Sequence, residues 1–245
     1  MAKMRADRLL VERGLAESGA RAQALILAGL VFAGERRVAK AGEQMATDAA
    51  LTVKGRDHPW VSRGGVKLEH ALQHFGWTDL TGLTVLDVGA STGGFTDVAL
   101  THGAARVFAV DVGYGQLDQK LRSDSRVTVL EKTNARHLTR EQVPVPVDLI
   151  VCDASFIGLR TVLAAPLALA AAHARLVALI KPQFEAGPRE APKGVVRDEA
   201  VHARICADVV GWIAAQGWSV QGIEPSPITG PQGNREFLLA AERGR

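Results

Sequence analysis

With 245 residues, 47% of them hydrophobic and 22% charged, the chain has the size and composition of a soluble globular protein with one large α/β domain and a small appendage. Its two cysteines, Cys152 and Cys206, form no metal-spaced pair, so neither a zinc site nor a disulfide framework is expected, and no metal is assigned to the chain. The net charge is +3, and residues 1–60 hold ten Lys/Arg against seven Asp/Glu, leaving nineteen of each for the rest; the whole excess lies in the first quarter, a hint of a polyanion-binding module.

MAKMRADRLL has no apolar signal-peptide core, so a cytoplasmic location is expected. A short helix is predicted from Arg5 to Gly14, a residue suited to the position after a helix end. Ser18 is placed to cap a second helix that runs through ALILA to Gly29. LVF reads as a strand with a turn at Gly34, and further strands are predicted around VAK and ALTVKG. Arg8, Arg13, Arg21, Arg36 and Arg37 are spread over these helices and the turn. KGRDHPWVSRGG, residues 54–65, is polar, with Pro59 and a glycine pair, and reads as a linker. The expected division is 1–56, a linker 57–63, and 64–245.

KLEHALQHFG then reads as an amphipathic helix ending at Gly76. From there strands alternate with helices, the pattern of an α/β protein with a parallel sheet. The strands are TVLDVG, RVFAVDVG, VTVLEKT, DLIVCDAS and RLVALIKP, with WSVQGIEPSP and EFLLAAE as a closing pair. Residues 162–180 are mostly apolar and 19 long, but contain His173 and Arg175, which are costly at bilayer depth. That stretch is predicted as a helix to about His173, a turn, and a strand from Leu176, without a membrane span.

Two groups of residues carry chemistry. In TVLDVGASTGGF a strand runs into Gly89, Gly93 and Gly94 and a helix starts near Phe95, a turn at which a ligand can approach the backbone. GASTGG is a poor match to the dinucleotide pattern, and Asp87 at the strand end suits a cofactor with a cationic amino-acid group. Asp111 ends the next strand, where a carboxylate can accept from ribose hydroxyls, and Asn134 follows the third, where an amide can read an adenine edge. The second group lies at strand ends, where ligands of open α/β sheets bind. Asp153 ends DLIVCD, Lys181 ends RLVALIK, Lys67 lies in the helix before the first strand, and Glu236 opens the last one.

Residues 4–55, through RADRLLVERGLAES, ARAQALILAG and VFAGERRV, resemble the small αL-type RNA-binding domain of a small-subunit ribosomal protein, pseudouridine synthases and tyrosyl-tRNA synthetases. The glycine loop with Asp87, Asp111 and the closing strands resembles the S-adenosylmethionine site of class I methyltransferases, whose mostly parallel sheet has a reversed strand near the C-terminus. The order SRGGVKLEHAL, LDVGASTGGFTD, DVGYGQL, KTNAR, CDASFIGL, LIKPQFE and GPQGNREF resembles the TlyA family, haemolysin A-like proteins with an FtsJ-like ribose 2′-O-methyltransferase domain.

The resemblance implies transfer of methyl from S-adenosylmethionine to cytidine ribose in ribosomal RNA, with ribosomal RNA or subunits as partner and no obligate protein partner. It places the reacting tetrad on Lys67, Asp153, Lys181 and Glu236, and cofactor contacts on Asp87, Gly89, Ser91, Gly93, Gly94, Phe95, Asp111, Val112, Asn134 and Ala135. RNA contacts fall on Arg5, Arg8, Arg21, Arg36, Arg37 and Arg63, and on Arg189 and Lys193 of the Gly/Pro-rich loop 183–198. Lys181 is expected to act as the base for the 2′-OH or to steer its lone pair, helped by Lys67 as a second cation, with the two carboxylates holding the lysines. Phe156 reads either as core or as a face for a flipped nucleotide. The chain ends at AAERGR, like the short form of the family, which implies large-subunit RNA only. The competing readings are a membrane-damaging haemolysin and a non-catalytic ribosome assembly factor.

Overall fold

A computed structural model describes residues 3–16, 18–54, 58–187, 189–230 and 233–244. The chain divides into two compact units, Met1–Pro59 and Trp60–Arg245. Residues 55–57 of the expected linker, like Pro188 and Pro231–Gln232 in the predicted loops, lie outside the described residues. The boundary falls inside the expected linker because Trp60 and Val61 are buried, 8% exposed each, and Val61 N–H donates to Asp97 at 2.9 Å within the larger unit.

In the N-terminal unit, strand β1 (Lys3–Arg5) leads into helix α1 (Ala6–Glu12), and α2 (Gly19–Leu27) follows. Arg5 therefore ends a strand, and the first helix starts one residue later than expected. Ser18 Oγ accepts from Arg21 N–H at 3.2 Å and caps α2. Strands β2 (Val31–Ala33), β3 (Arg36–Arg37), β4 (Gln44–Ala46) and β5 (Leu51–Val53) complete the unit. They form two small antiparallel sheets, β1–β4 and β3–β2–β5. The strand expected at VAK sits earlier, at Arg36–Arg37. Gly34, at φ +58°, makes a two-residue turn with Glu35, and that turn sets the register Ala33 to Arg36 at once. Leu9, Leu10, Ala22, Ile26, Val31, Val38 and Met45 fill the core of this unit.

The larger unit opens with helix α3 (Gly64–His74). Then come β6 (Thr84–Val88), α4 (Gly94–Thr101), β7 (Arg106–Val110), α5 (Gln119–Arg122) and β8 (Val127–Leu130). Strand β9 (Val147–Cys152), α6 (Leu159–Ala168), β10 (Ala170–Ile180), α7 (Pro182–Glu185) and α8 (Glu199–Ala215) follow, before β11 (Ser219–Pro225) and β12 (Phe237–Arg243). The seven strands are ordered β11-β12-β10-β9-β6-β7-β8. All neighbours pair in parallel except that β12 runs against both β10 and β11. This is the expected α/β class with its reversed strand.

Alternation along the strands builds a core on each face. Val85, Leu149, Val151 and Val177 pack under α3 and α4, while Leu86, Val88, Ile150 and Leu176 pack under α6 and α8. The helix expected to reach His173 ends at Ala168, and the strand starts at Ala170 instead of Leu176. Alanine favours helix, but pairing overrides it here: Ala170 meets Val147 and Arg175 meets Leu149, with a bulge absorbing the extra residues. Among the described residues, no helix is long and apolar enough to cross a membrane.

Candidate active site

Parallel strands deliver their C-terminal ends to one edge of the sheet, and β12, being reversed, delivers its start there. Asp153 follows β9, Lys181 follows β10, and Glu236 precedes β12. Lys67 reaches the same place from α3. Lys181 Nζ lies 2.7 Å from Asp153 Oδ1, Lys67 Nζ lies 3.3 Å from Asp153 Oδ2, and Lys67 Nζ lies 2.7 Å from Glu236 Oε2. The result is one chain of alternating sign, Lys181–Asp153–Lys67–Glu236. Lys67, Lys181 and Glu236 are 8, 6 and 2% exposed, so each charge depends on its partner for solvation. Asp153 bridges the two ammonium groups, with one on each carboxylate oxygen.

Two further residues complete this cluster, and the sequence reading missed both. Lys181 Nζ also donates to Ser155 Oγ at 2.9 Å and to the carbonyl of Asp153 at 3.1 Å, so all three of its donors have acceptors. Gln183 Nε2 donates to Glu236 Oε1 at 3.4 Å. The signal available was position alone: each stands two residues after a tetrad member. Gly230 matters for packing, since a Cβ there would come within 2.2 Å of Glu236 Oε1.

Beside it lies the glycine turn. Gly89 and Gly93 have φ of +82° and +96°, which β-carbon-bearing residues rarely adopt. A Cβ on Gly89 would meet the Ala154 backbone at 2.9 Å, and one on Gly94 would meet Ser62 Oγ at 2.3 Å. Both glycines are thus required by close packing within the protein. Phe95 is buried in the core at 3% exposure, so its side chain is not on the pocket wall.

Asp111 accepts from Ser91 N–H at 2.8 Å and Gly113 N–H at 2.7 Å, which pins the two loops together. A carboxylate has about four lone-pair sites, so acceptor capacity remains for a ligand. Asp111 lines a shallow surface pocket with Ala90, Ser91, Gln116, Val129 and Glu131. Gln116 and Glu131 are additions to the predicted set; Glu131 follows β8 as Asp111 follows β7. The hydrogen bond from Arg122 holds the Glu131 carboxyl below the usual carboxylate range. Asn134 Oδ1 accepts from Arg136 N–H at 3.1 Å, Ala135 is buried, and Val112 is 70% exposed.

Asp87 is fully buried and not on the pocket surface. Thr96 Oγ1 donates to its Oδ2 at 2.6 Å, while its Oδ1 has no partner among the described residues. Burial, reinforced by the nearby Asp153 and Asp111 charges, pushes its pKa up to about 7. An orphaned buried oxygen, an acceptor-rich pocket and a glycine turn at a strand end fit a cationic cofactor carrying a ribose.

Of the basic residues assigned to RNA, Arg8, Arg21, Arg37, Arg189 and Lys193 are exposed. Arg5 pairs with Asp7 at 2.7 Å and Arg36 with Glu43 at 2.7 Å. Arg63 Nη2 donates to the carbonyl of Thr229 at 3.4 Å. Phe156 is 90% exposed at φ +65°, with its ring 5.2 Å from that of Phe184. The core alternative for Phe156 is thereby ruled out.

Comparison with known proteins agrees with this geometry. Residues 60–243 match the model of the FtsJ-like methyltransferase family. The chain is 47% identical to the 16S/23S rRNA (cytidine-2′-O)-methyltransferase TlyA of Mycobacterium tuberculosis, over 97% of this chain and 89% of that protein. It is 34% identical to the 23S rRNA (cytidine-2′-O)-methyltransferase TlyA of Campylobacter jejuni, over 73% of this chain and 69% of that protein. A solved structure from Streptococcus thermophilus, described as a candidate hemolysin, superposes with a TM-score of 0.78 at 40% identity, covering 99% of this chain and 89% of that one. The chain belongs to the TlyA family of FtsJ-like methyltransferases.

Proposed function

We propose that this protein transfers a methyl group from S-adenosylmethionine to the ribose 2′-OH of a cytidine in ribosomal RNA, with large-subunit RNA as the substrate. The observation that carries the reaction is the buried chain Lys181–Asp153–Lys67–Glu236 at the ligand-binding edge of the sheet. Cytidine 2′-O-methylation is named for both TlyA relatives, and 23S RNA is the substrate that the two names share.

When bound, S-adenosylmethionine supplies an electrophilic methyl group on a cationic sulfur. Asp111, with Ser91 and Gln116 beside it, would hold the ribose, and the buried Asp87 would answer the positive charge. A ribose hydroxyl is a weak nucleophile that holds its proton well above neutral pH, so it must be oriented and relieved of that proton. Lys181 has acceptors for all three donors, so an incoming hydroxyl must replace one of them. The Ser155 hydroxyl is the partner that can turn. Lys181 would serve as the base only after giving one of its own protons to solvent; the neutral amine would then accept the 2′-OH proton as the ribose oxygen takes up the methyl group that bound S-adenosylmethionine would supply. Asp153 and Glu236 hold the lysines and keep the cluster neutral.

The N-terminal unit would grip RNA through Arg8, Arg21 and Arg37, with Arg5 and Arg36 released from their acid partners on contact. Arg189 and Lys193 would add phosphate contacts beside the reacting centre, and Phe156 offers a stacking face for the extruded base.

The test is transfer of radiolabelled methyl to separated, unmodified subunits and to their naked RNA, with Lys181→Ala in parallel. Label on large-subunit RNA that disappears in the variant is the expected result. Label on the small subunit as well removes the large-subunit restriction and leaves the chemistry. No label on any RNA, with leakage from liposomes, would favour the hemolysin name.

A further inference from the structure

Helix α3 carries Lys67 toward the reacting centre, and farther along it carries His70 and His74, one turn apart. Glu224 of β11 faces both imidazoles. His70 Nε2 lies 3.4 Å from Glu224 Oε1, and His74 Nε2 lies 3.7 Å from Glu224 Oε2. The three donor atoms lie within 4.8 Å of one another. With metal–ligand bonds of about 2.0–2.1 Å, tetrahedral ligands stand about 3.3–3.4 Å apart. One edge already has that length, and the others close with small rotations of partly exposed side chains, 36, 44 and 28% exposed for His70, His74 and Glu224.

We propose that His70, His74 and Glu224 form a binding site for a divalent transition metal of the zinc class, pinning α3 to the edge strand β11. Two imidazoles and a carboxylate select zinc, cobalt, nickel or copper over magnesium and calcium, which require oxygen donors. The site is independent of cysteine, whose spacing gave no metal signal. It lies apart from the four charged groups of the reacting centre and uses none of them. Three protein ligands leave the remaining position to water. The imidazoles coordinate as neutral bases through Nε2, so binding displaces any protons they carry.

The local packing supports a clamp. The ring of Phe75, at the end of α3, comes within 3.3 Å of where a Cβ on Gly222 of β11 would be, so glycine lets the helix end sit close to the strand. His74 stands edge-on to Phe75 at 4.7 Å, and Phe75 contacts Trp77 at 5.9 Å, which limits the freedom of the His74 ring. An ordered ring loses less freedom on ligation.

The experiment uses the full chain without a polyhistidine tag, stripped by a chelator and titrated with Zn²⁺ against a chromophoric competitor. One equivalent is expected to bind, with Tm rising by about 5–10 °C at 100 times Kd. His70→Gln and His74→Gln should each weaken binding at least tenfold, whereas His137→Gln should not. Anomalous diffraction at the zinc edge from wild-type crystals locates the ion without any variant. Binding weaker than about 1 mM, retention of the ion in the double histidine variant, or anomalous density elsewhere would each overturn the site.

Discussion

In the N-terminal unit Arg8, Arg21 and Arg37 lie exposed, and the Arg36–Glu43 pair sits in contact with water. In the larger unit Lys67, Lys181 and Glu236 are 8, 6 and 2% exposed and linked through Asp153. Surface charges are solvated individually and contribute little to stability, whereas buried charges are paid for by one another. The first arrangement suits an electrostatic grip in which each residue adds a small increment. The second suits chemistry, in which removing one group disables the rest.

The sharpest way to break this comparison is Lys181→Ala. Methyl transfer at saturating cofactor and RNA should fall by about 10²–10⁴-fold, the range for losing a proton-transfer group. Single-turnover radiolabel transfer measures this, and near-normal turnover would remove Lys181 from the reaction. Next is Glu236→Gln, which leaves Lys67 buried with Asp153 alone. A loss of about 3–5 kcal/mol in urea unfolding is expected, because an uncompensated buried charge is costly. A Lys67→Met, Glu236→Leu double variant should recover much of that stability while staying inactive.

Asp87→Asn probes a buried acid with no cationic partner among the described residues. Its pKa is raised from the ordinary 3.8 to about 7, so the folded protein holds the proton more tightly than the unfolded chain. Wild-type stability should therefore fall as pH rises from about 4 to 7, and the penalty should persist above 7. Asparagine cannot ionise, so the variant should gain on the wild type by up to ~4 kcal/mol at pH 8 and little at pH 4. Unfolding midpoints across pH decide it, and parallel pH profiles for the two proteins would refute the buried charge. The smallest effects belong to Arg8→Ala, Arg21→Ala and Arg37→Ala. Each should lower the slope of log affinity against log salt by about 0.7–0.9 without altering stability. Arg36→Ala should do less, since Glu43 already occupies that guanidinium. Filter binding over a salt series separates the four.

The strands of the larger unit and the four charged residues that cluster at their ends were legible because both rest on short patterns: apolar runs of strand length, followed by a charged residue. Where the pattern is ambiguous, reading failed. AAAHA is helical by intrinsic preference, yet it pairs in β10, and only the neighbouring strand reveals that. Asp87 stands in the expected motif, but its complete burial depends on Thr96 and α4 closing over it. Gly89 and Gly94 were read from the loop alone, and the close packing that also requires glycine there comes from Ala154 and Ser62, which the sequence does not bring near. Ser155 and Gln183 went unremarked, since a neutral residue beside a charged one carries no signal until distances are known.

The reversal of β12 has a consequence in time. Glu236 is 169 residues downstream of Lys67, and it is anchored by the strand that follows it. Until residues 236–243 of a nascent chain have emerged from the ribosome, Lys67 lacks its nearest carboxylate and β10 exposes an unpaired edge. The four charged groups can therefore come together only after residues 236–243 have been made and β12 has slotted between β10 and β11.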